Sequence, residues 1–394
     1  MNATGRPLQV LMLLGSFYPP PQGGGTQMQV RLLAKALRKR GHRVTVLAPL
    51  VHPGERRVDR LDGVPICRLP YPRLRFLGGA WLTARLCLFL LSRRNRYDAW
   101  HVHSPRLFGA VAALLGSYCG KPVVVVKVAS ADEFDTGTLS QRPSLRGRVL
   151  YACLKRADAW QAISGRIAGA LAARGIPEAR IAAIPNAVDV DRFSQATRPD
   201  RHPPRFLFIG RLVAPKNLFL LLDAFAALLR SRPDAQLRIV GGGPLAAALR
   251  QRAHALGIEH AVEFTGHRGD IDALLVDADF GVLPSSFEGL SNVLLECMAS
   301  GLPVIASRVS GSEDLVHVGK NGWLFEPDDV GQLTACLIEA TNLSPRQRQE
   351  FGAQARTTIE RHASLDSVLE QITRVYRRRA NPRACAASAA RKVA

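Results

Sequence analysis

Read by polarity alone, the chain is a succession of short apolar runs separated by stretches in which apolar residues recur every three or four positions. Short continuous runs mark strands buried on both faces, and the longer period marks helices that cover them, so the pattern predicts parallel sheets layered with helices. In the first half the runs are Val10 to Gly15, Val44 to Ala48, Ala99 to His103, Val123 to Val126, Ala159 to Ile163 and Ile181 to Ile184. Between the first two, Thr26 to Arg40 is apolar at Met28, Leu32, Leu33, Ala36 and Leu37, a helical spacing that Gly41 stops. Periodicity lapses over 189–204, a stretch rich in Asp, Arg and Pro, and then restarts with strands at Phe206 to Ile209, Leu237 to Val240, Val262 to Phe264, Phe280 to Leu283 and Pro303 to Ala306. The expected architecture is α/β, with two Rossmann-like doubly wound domains at 1–188 and 205–363 joined by a linker at 189–204. A C-terminal helix at 364–380 is expected to cross back onto the first domain, ahead of a disordered basic tail at 381–394.

Length supports the division, because 394 residues exceed what one ordinary core organises. An apolar share of 47% indicates a globular chain. Seven scattered cysteines with no Cys-x-x-Cys pair point to neither zinc nor disulfide chemistry and fit a reducing, cytoplasmic setting. The run Leu8 to Leu14 is too short to span a membrane and is followed by turn residues, so it is expected to be a buried first strand.

Charge changes the picture. Of a net +21, residues 1–200 carry +18, with 30 Lys and Arg against 12 Asp and Glu. Such a field favours anionic partners: nucleic acid, lipid headgroups or a phosphate-bearing acceptor. Nucleic acid is disfavoured, because only 6% of residues are aromatic and no zinc finger or RNA-recognition signature appears. Residues 73–97 place Phe76, Leu77, Trp81, Leu82, Leu86 and Leu88 to Leu91 between Arg73, Arg75 and the cluster Arg93, Arg94, Arg96. With about 16 residues between the flanks this segment cannot cross a bilayer. It reads as a helix packed on the first sheet, with an interfacial membrane helix as the alternative.

Three segments hold candidate chemistry. Gly23-Gly24-Gly25 lies between the first strand and the first helix, where backbone N–H groups can approach a phosphate, but the spacing is not the nicotinamide fingerprint. Gly210-Arg211-Leu212 with Lys216 puts two cations five residues apart in a loop before a helix, where they could grip a pyrophosphate. Phe287 to Glu296 follows a strand. Ser291 or Asn292 can cap the next helix, and Glu296 lies one turn beyond Asn292 on an otherwise apolar helix. No Asp-x-Asp motif is present to bind a divalent metal.

Glu288 and Glu296 stand in the Glu-x7-Glu arrangement of glycosyltransferase family 4, within a segment (288–307) that resembles that family's signature closely. Gly210-Arg211-Leu212 with Lys216, Gly241-Gly242-Gly243-Pro244, Phe264-Thr265-Gly266 and Asn321-Gly322 match its other marks in order. So do Gly41-His42-Arg43-Val44, Asp98 to His103 and Pro185 to Asp189 in the first half. The resemblance spans about residues 8–330 and implies a GT-B fold, two domains facing across a cleft, with the acceptor held mainly by the first and a nucleotide-sugar by the second. It implies that Arg211 and Lys216 hold the diphosphate, that Glu296 bonds the donor ribose and that Glu288 contacts the transferred sugar. His103 is placed near the reacting centre, with His101 a weaker acceptor-side candidate. The backbone of Gly24, Gly25, Leu290, Ser291 and Asn292 completes the cradle. Leu290-Ser291-Asn292 departs from the commoner Phe-Gly-Leu, and Asn217 replaces a frequent glycine; both leave the donor's identity open. The expected function is retaining transfer of a hexosyl group, from UDP rather than GDP on family frequency, to a glycan or lipid-linked acceptor of cell-surface polysaccharide or glycolipid synthesis. No cofactor or metal is expected, and the protein is expected in the cytoplasm with a peripheral position on the inner membrane face. An epimerase of the same fold class, revealed by donor turnover without acceptor, and an inactive nucleotide-sugar-binding module are the alternatives.

Overall fold

The computed structural model describes residues 6–19, 24–52, 54–72, 74, 77–120, 122–130, 133–135, 137–140, 144–193 and 203–378. The chain divides into two compact units, residues 1–185 with 368–394, and residues 186–367. Residues 194–202 of the segment expected as a linker, and the tail from 379, lie outside the described residues. The rest of that segment is not free chain. Val190–Arg192 form a 3-10 turn, Arg356 donates to the carbonyls of Val190 and Phe193, and Arg192 pairs with Asp272.

Unit 1 runs β1 (Gln9–Leu13), α1 (Gly25–Lys39), β2 (Arg43–Pro49), β3 (Val58–Leu61), β4 (Val64–Leu69), α2 (Leu77–Ser92), β5 (Ala99–Val102), α3 (Leu107–Cys119), β6 (Val123–Val128), α4 (Leu145–Leu154), β7 (Ala159–Ala162), α5 (Gly165–Ala173) and β8 (Ile181–Ala183). Its eight strands lie in the order β3-β4-β2-β1-β5-β6-β7-β8, parallel except that β3 pairs antiparallel with β4. β1, β5, β6 and β7 are almost wholly buried, which is why they read as continuous apolar runs. The β3–β4 hairpin was not anticipated. Val58-Asp59-Arg60-Leu61 is largely exposed and carries no apolar run, although Asp62-Gly63, both at positive φ, is a two-residue hairpin turn.

Unit 2 runs β9 (Arg205–Ile209), α6 (Leu218–Leu229), β10 (Gln236–Val240), α7 (Ala246–Ala255), β11 (Val262–Gly266), α8 (Ile271–Val276), β12 (Phe280–Leu283), α9 (Asn292–Ala299), β13 (Val304–Ser307), α10 (Ser312–Leu315), β14 (Gly322–Phe325), α11 (Val330–Thr341) and α12 (Pro345–His362). All six strands are parallel, in the order β11-β10-β9-β12-β13-β14. Phe206, Phe225, Phe280 and Trp323 pack ring to ring in its core. The short strand β14 was also unforeseen.

A last helix, α13 (Leu365–Tyr376), carries the chain into unit 1 and buries Val368, Leu369, Ile372, Val375 and Tyr376. Strand order reverses direction between β1 and β5 in unit 1 and between β9 and β12 in unit 2. At such switch points the loops leaving adjacent strands diverge and open a crevice at the strands' carboxyl ends, where ligands of doubly wound sheets bind. Gly24 and Gly25 follow β1, His103 follows β5, Arg211 and Lys216 follow β9, and Glu288 follows β12.

Candidate functional site

In unit 2 the loop leaving β9 is tied to the loop leaving β10 through backbone hydrogen bonds. Leu212 N donates to Gly242 O at 3.0 Å, and Leu245 N donates to Leu212 O at 3.2 Å. Gly241 sits at φ +136°, so close to Gly210 that a Cβ there would lie 1.9 Å from its carbonyl oxygen, and a Cβ on Gly243 would lie 2.4 Å from Leu212 O. The Gly241-Gly242-Gly243 run is therefore what lets the two loops touch. The β9 loop ends in a 3-10 turn, Ala214–Lys216, and Asn217 adopts the left-handed conformation (φ 51°) that starts α6. Asparagine tolerates that conformation, and its Nδ2 donates to Asp328 Oδ1 at 2.6 Å, which accounts for its use in place of glycine.

The loop leaving β12 is fixed from both sides. Ser307 Oγ donates to Ser285 O at 2.6 Å, and Ser285 Oγ donates to Glu288 Oε2 at 3.1 Å. Gly311, at φ +83°, passes so close to Gly289 O that a Cβ would approach it to 2.5 Å. This brings Glu288 to Lys216, seventy-two positions earlier: Nζ donates to Oε1 at 2.9 Å and to Oε2 at 2.8 Å, with each side chain about a quarter exposed. Arg211 is exposed and makes no ion pair with a described residue. One cation is thus neutralised and the other is not.

Ser291 is the N-cap of α9, its Oγ accepting from Leu294 N, and leaves the first N–H groups of the helix at the switch point. Asn186 Nδ2 donates to Leu290 O and to Asn292 Oδ1, both at 3.1 Å, and pins the segment before the helix. Asn186 belongs to the Pro185–Asp189 mark, but its partners lie more than a hundred residues away and no local pattern reveals them. Glu296, partly buried on α9, accepts no hydrogen bond from a described residue. Desolvation pushes its carboxyl up to about 7, with Arg192 opposing the rise and Asp272 adding to it.

In unit 1, Gly24 is the N-cap of α1 and Gly25 its first residue; Gly23 lies outside the described residues. His103 N donates to Leu13 O at 3.0 Å, which ties the end of β5 to β1. The His103 ring is buried beside that of His101, centroids 4.2 Å apart, and neither of its nitrogens is hydrogen-bonded to a described residue. His101 Nδ1 is bonded to the hydroxyl of Tyr376 on α13 at 2.8 Å. Burial holds both imidazoles neutral, His101 down to about 3, and the neighbouring Lys127 adds to the effect. Lys127, opposite Gln161 on β7, is itself buried, and desolvation lowers its ammonium to about 7. A lone lysine inside the run Val123 to Val128 was the signal for it. Among the described residues no group of three or more His, Cys, Asp or Glu could hold a metal ion.

Two doubly wound units, each with polar groups gathered at its switch point, are the build of a GT-B sugar transferase. Solved structures agree on the fold: HepE of Anabaena, in complex with UDP, matches with a TM-score of 0.73 at 21% identity over 93% of this chain and 99% of that one. A glycosyltransferase of Rickettsia africae matches with a TM-score of 0.78 at 16% identity over 96% and 100%. The family model described as glycosyl transferases group 1 matches residues 203–342, and that described as Glycosyltransferase Family 4 matches residues 23–192. The phosphatidyl-myo-inositol mannosyltransferase of Mycobacterium tuberculosis is 32% identical over 90% of this chain and 93% of its own length. The glycogen synthase of the same organism is 28% identical over 93% and 94%. The chain belongs to glycosyltransferase family 4 and is a glycosyltransferase of the group 1, GT-B type.

Proposed function

We propose that the enzyme transfers a hexosyl group from a nucleotide-sugar, with UDP favoured over GDP, to a glycan or lipid-linked acceptor with retention of anomeric configuration. The observation that carries the reading is the Lys216–Glu288 pair at the β9/β12 switch point, together with Arg211 in the same β9 loop, which has no ion pair with a described residue. A diphosphate would take Lys216 from Glu288 and engage Arg211 as well. Glu288, released, becomes an acceptor for sugar hydroxyls. Glu296, with no donor among the described residues, is suited to accept from the two ribose hydroxyls, and the α9 N-terminus with Leu290, Ser291 and Asn292 is suited to face the charge that builds on the leaving phosphate.

In unit 1, Gly24 and Gly25 offer backbone N–H groups suited to a phosphate, and His103, neutral and without a hydrogen bond to a described side chain, can orient a sugar hydroxyl; His101 is spoken for by Tyr376. The acceptor oxygen attacks the anomeric carbon on the face from which the diphosphate departs, and its proton passes to the leaving phosphate. Two fixed cations offset the leaving charge, so we expect no metal. Support for a UDP-sugar comes from HepE, which has been solved with UDP-glucose; a relative at 29% identity is GDP-mannose-dependent, which keeps the base a matter for measurement.

The phosphatidyl-myo-inositol mannosyltransferase relative favours a lipid-borne acceptor, and we place the reaction in cell-surface polysaccharide or glycolipid synthesis, in the cytoplasm at the inner membrane face. No described helix is long and apolar enough to cross a membrane, but α2 leaves Leu77, Trp81 and Leu88 more than half exposed and is followed by Arg93, Arg94 and Arg96. That is the composition of an interfacial helix. Binding to anionic vesicles at low salt tests it.

Calorimetry and nucleotide release with a panel of nucleotide-sugars, on wild type, Lys216→Ala and Glu296→Ala, test the donor reading. One donor should bind and be consumed by the wild type and lost by both variants, and the anomeric signal of the product should match that of the donor. If no nucleotide-sugar binds, the reading is wrong.

A further inference from the structure

The mark Gly41-His42-Arg43-Val44 plays no part in the proposed reaction, and the structure puts it at the opposite end of the unit 1 sheet. Gln9 and Arg43 are the first residues of β1 and β2 and are paired in register, so they lie about 15 Å of strand away from the carboxyl ends where His103 follows β5. A cavity of about 430 Å³ opens there. Three arginines line it, each from a different element: Arg38 from the last turn of α1, Arg43 from β2 and Arg96 from the segment after α2. His42, Gln9 and Thr45 complete the polar wall, and no acidic residue lines the cavity.

None of the three guanidiniums is paired with a described carboxylate. This is unlike Arg6, Arg31, Arg68 and Arg106 of the same unit, each of which has an acidic partner. The carboxylates nearby in sequence are already engaged: Asp98 by Arg6 and by Gln9 N, and Asp62 by Arg31. His42 Nδ1 accepts from Leu8 N at 3.2 Å, which leaves the proton of the neutral ring on Nε2. Basic residues in the last turn of a helix are usual company for its dipole, and that covers Arg38. It does not cover Arg43 and Arg96, which come from elsewhere and meet it around one hollow. Like charges are brought together in this way where an anion completes the set, and guanidinium forks suit the geometry of phosphate oxygens.

We infer that Arg38, Arg43, Arg96 and His42 form a second anion site in unit 1, separate from the donor site, that takes a phosphate group. The group can come from a lipid headgroup or from a soluble phosphate ester. A second hollow lined by Leu91 to Arg96 shares Arg96 and continues the basic surface toward the end of α2. The site gives part of the +18 charge of the first 200 residues a specific use.

The test uses the full chain, with inorganic phosphate as the soluble probe and phosphatidylcholine vesicles containing phosphatidylglycerol as the lipid probe, both at low ionic strength. Arg38→Gln/Arg43→Gln/Arg96→Gln is compared with Arg57→Gln/Arg146→Gln/Arg148→Gln, which removes the same charge from exposed positions of unit 1, and with Lys216→Ala in the donor site. Phosphate should bind the wild type saturably, persist in Lys216→Ala and in the charge-matched control, and weaken by about tenfold or more in the first triple variant. If a lipid is the source, vesicle binding falls in parallel and inorganic phosphate competes with it; if a soluble ester is, vesicle binding is unchanged while phosphate binding falls. Equal loss in both triple variants, or phosphate binding that disappears only in Lys216→Ala, would overturn the site. Nucleotide release from the donor, unchanged in the first triple variant, separates failure here from failure of the transferase reading.

Discussion

At the scale of single residues, two carboxylates of one motif behave oppositely because of what surrounds them. Glu288 is paired with Lys216; Glu296 is desolvated and has no partner among the described residues, with its carboxyl raised to about 7. Since the folded value lies above the unfolded one, the empty enzyme binds a proton more readily than the unfolded chain, and the stability that proton confers is lost as pH rises from about 4.5 to about 7. Glu296→Gln should remove this slope and leave the variant more stable than wild type by about 1–3 kcal/mol near pH 8, with little difference near pH 4.5. Urea unfolding of the unliganded proteins at the two pH values reads it; parallel pH profiles would sink the assignment. For the pair, Glu288→Gln should free Lys216 and remove a negative charge from the diphosphate's path, so UDP should bind about three- to tenfold tighter while sugar transfer is lost. Calorimetry with UDP and turnover with the donor check the two halves. Both glutamates stood out through their resemblance to the family's Glu-x7-Glu arrangement, and of the two cap candidates, Ser291 and Asn292, Ser291 takes the position. The Lys216–Glu288 contact was not legible, because adjacency of β9 and β12 is a property of strand order, which no local pattern encodes.

Elements were readable in proportion to how completely they are buried. β1, β5, β6, β7 and β12 appear as uninterrupted apolar runs because both faces are covered, whereas the mostly exposed β3 escaped notice and left its Asp62-Gly63 turn without context. β14 escaped for another reason: Gly-Trp-Leu-Phe is short and begins with a residue that ordinarily breaks strands. That Gly322 is required by contact, since a Cβ there would lie 2.3 Å from Val304 O. Glycines of this kind make a prediction at the level of loop against loop. Gly241→Ala, strained at φ +136° and opposed by Gly210 O, should destabilise unit 2 by about 2–4 kcal/mol and impair nucleotide binding although no side chain of the donor site is altered. Denaturant unfolding together with UDP titration would show both effects, and an unperturbed variant would mean that the β9 and β10 loops are not locked as described.

For the molecule as a whole, the two-domain plan and the return of the last helix were foreseen from the restart of periodicity after residue 204 and from a helical segment left over after the second set of strands. The division at Pro185 and Asn186 was not, since it falls inside a family mark rather than in the polar stretch that follows. Unit 1 is discontinuous in sequence, and its closing contact is the buried bond between His101 on β5 and Tyr376 on α13. Tyr376→Phe should leave His101 Nδ1 unsatisfied and cost unit 1 about 1–2 kcal/mol without altering donor affinity, measured by denaturation and calorimetry on the same preparations. This topology also sets an order of events during synthesis. Residues 186–364 are made before α13, so unit 1 can be closed only after the strands and helices of unit 2 are available. Until α13 is made, the face of the first sheet around His101 waits without its cover, and a chain truncated just before α13 would carry every strand of the second unit and a first unit that cannot close.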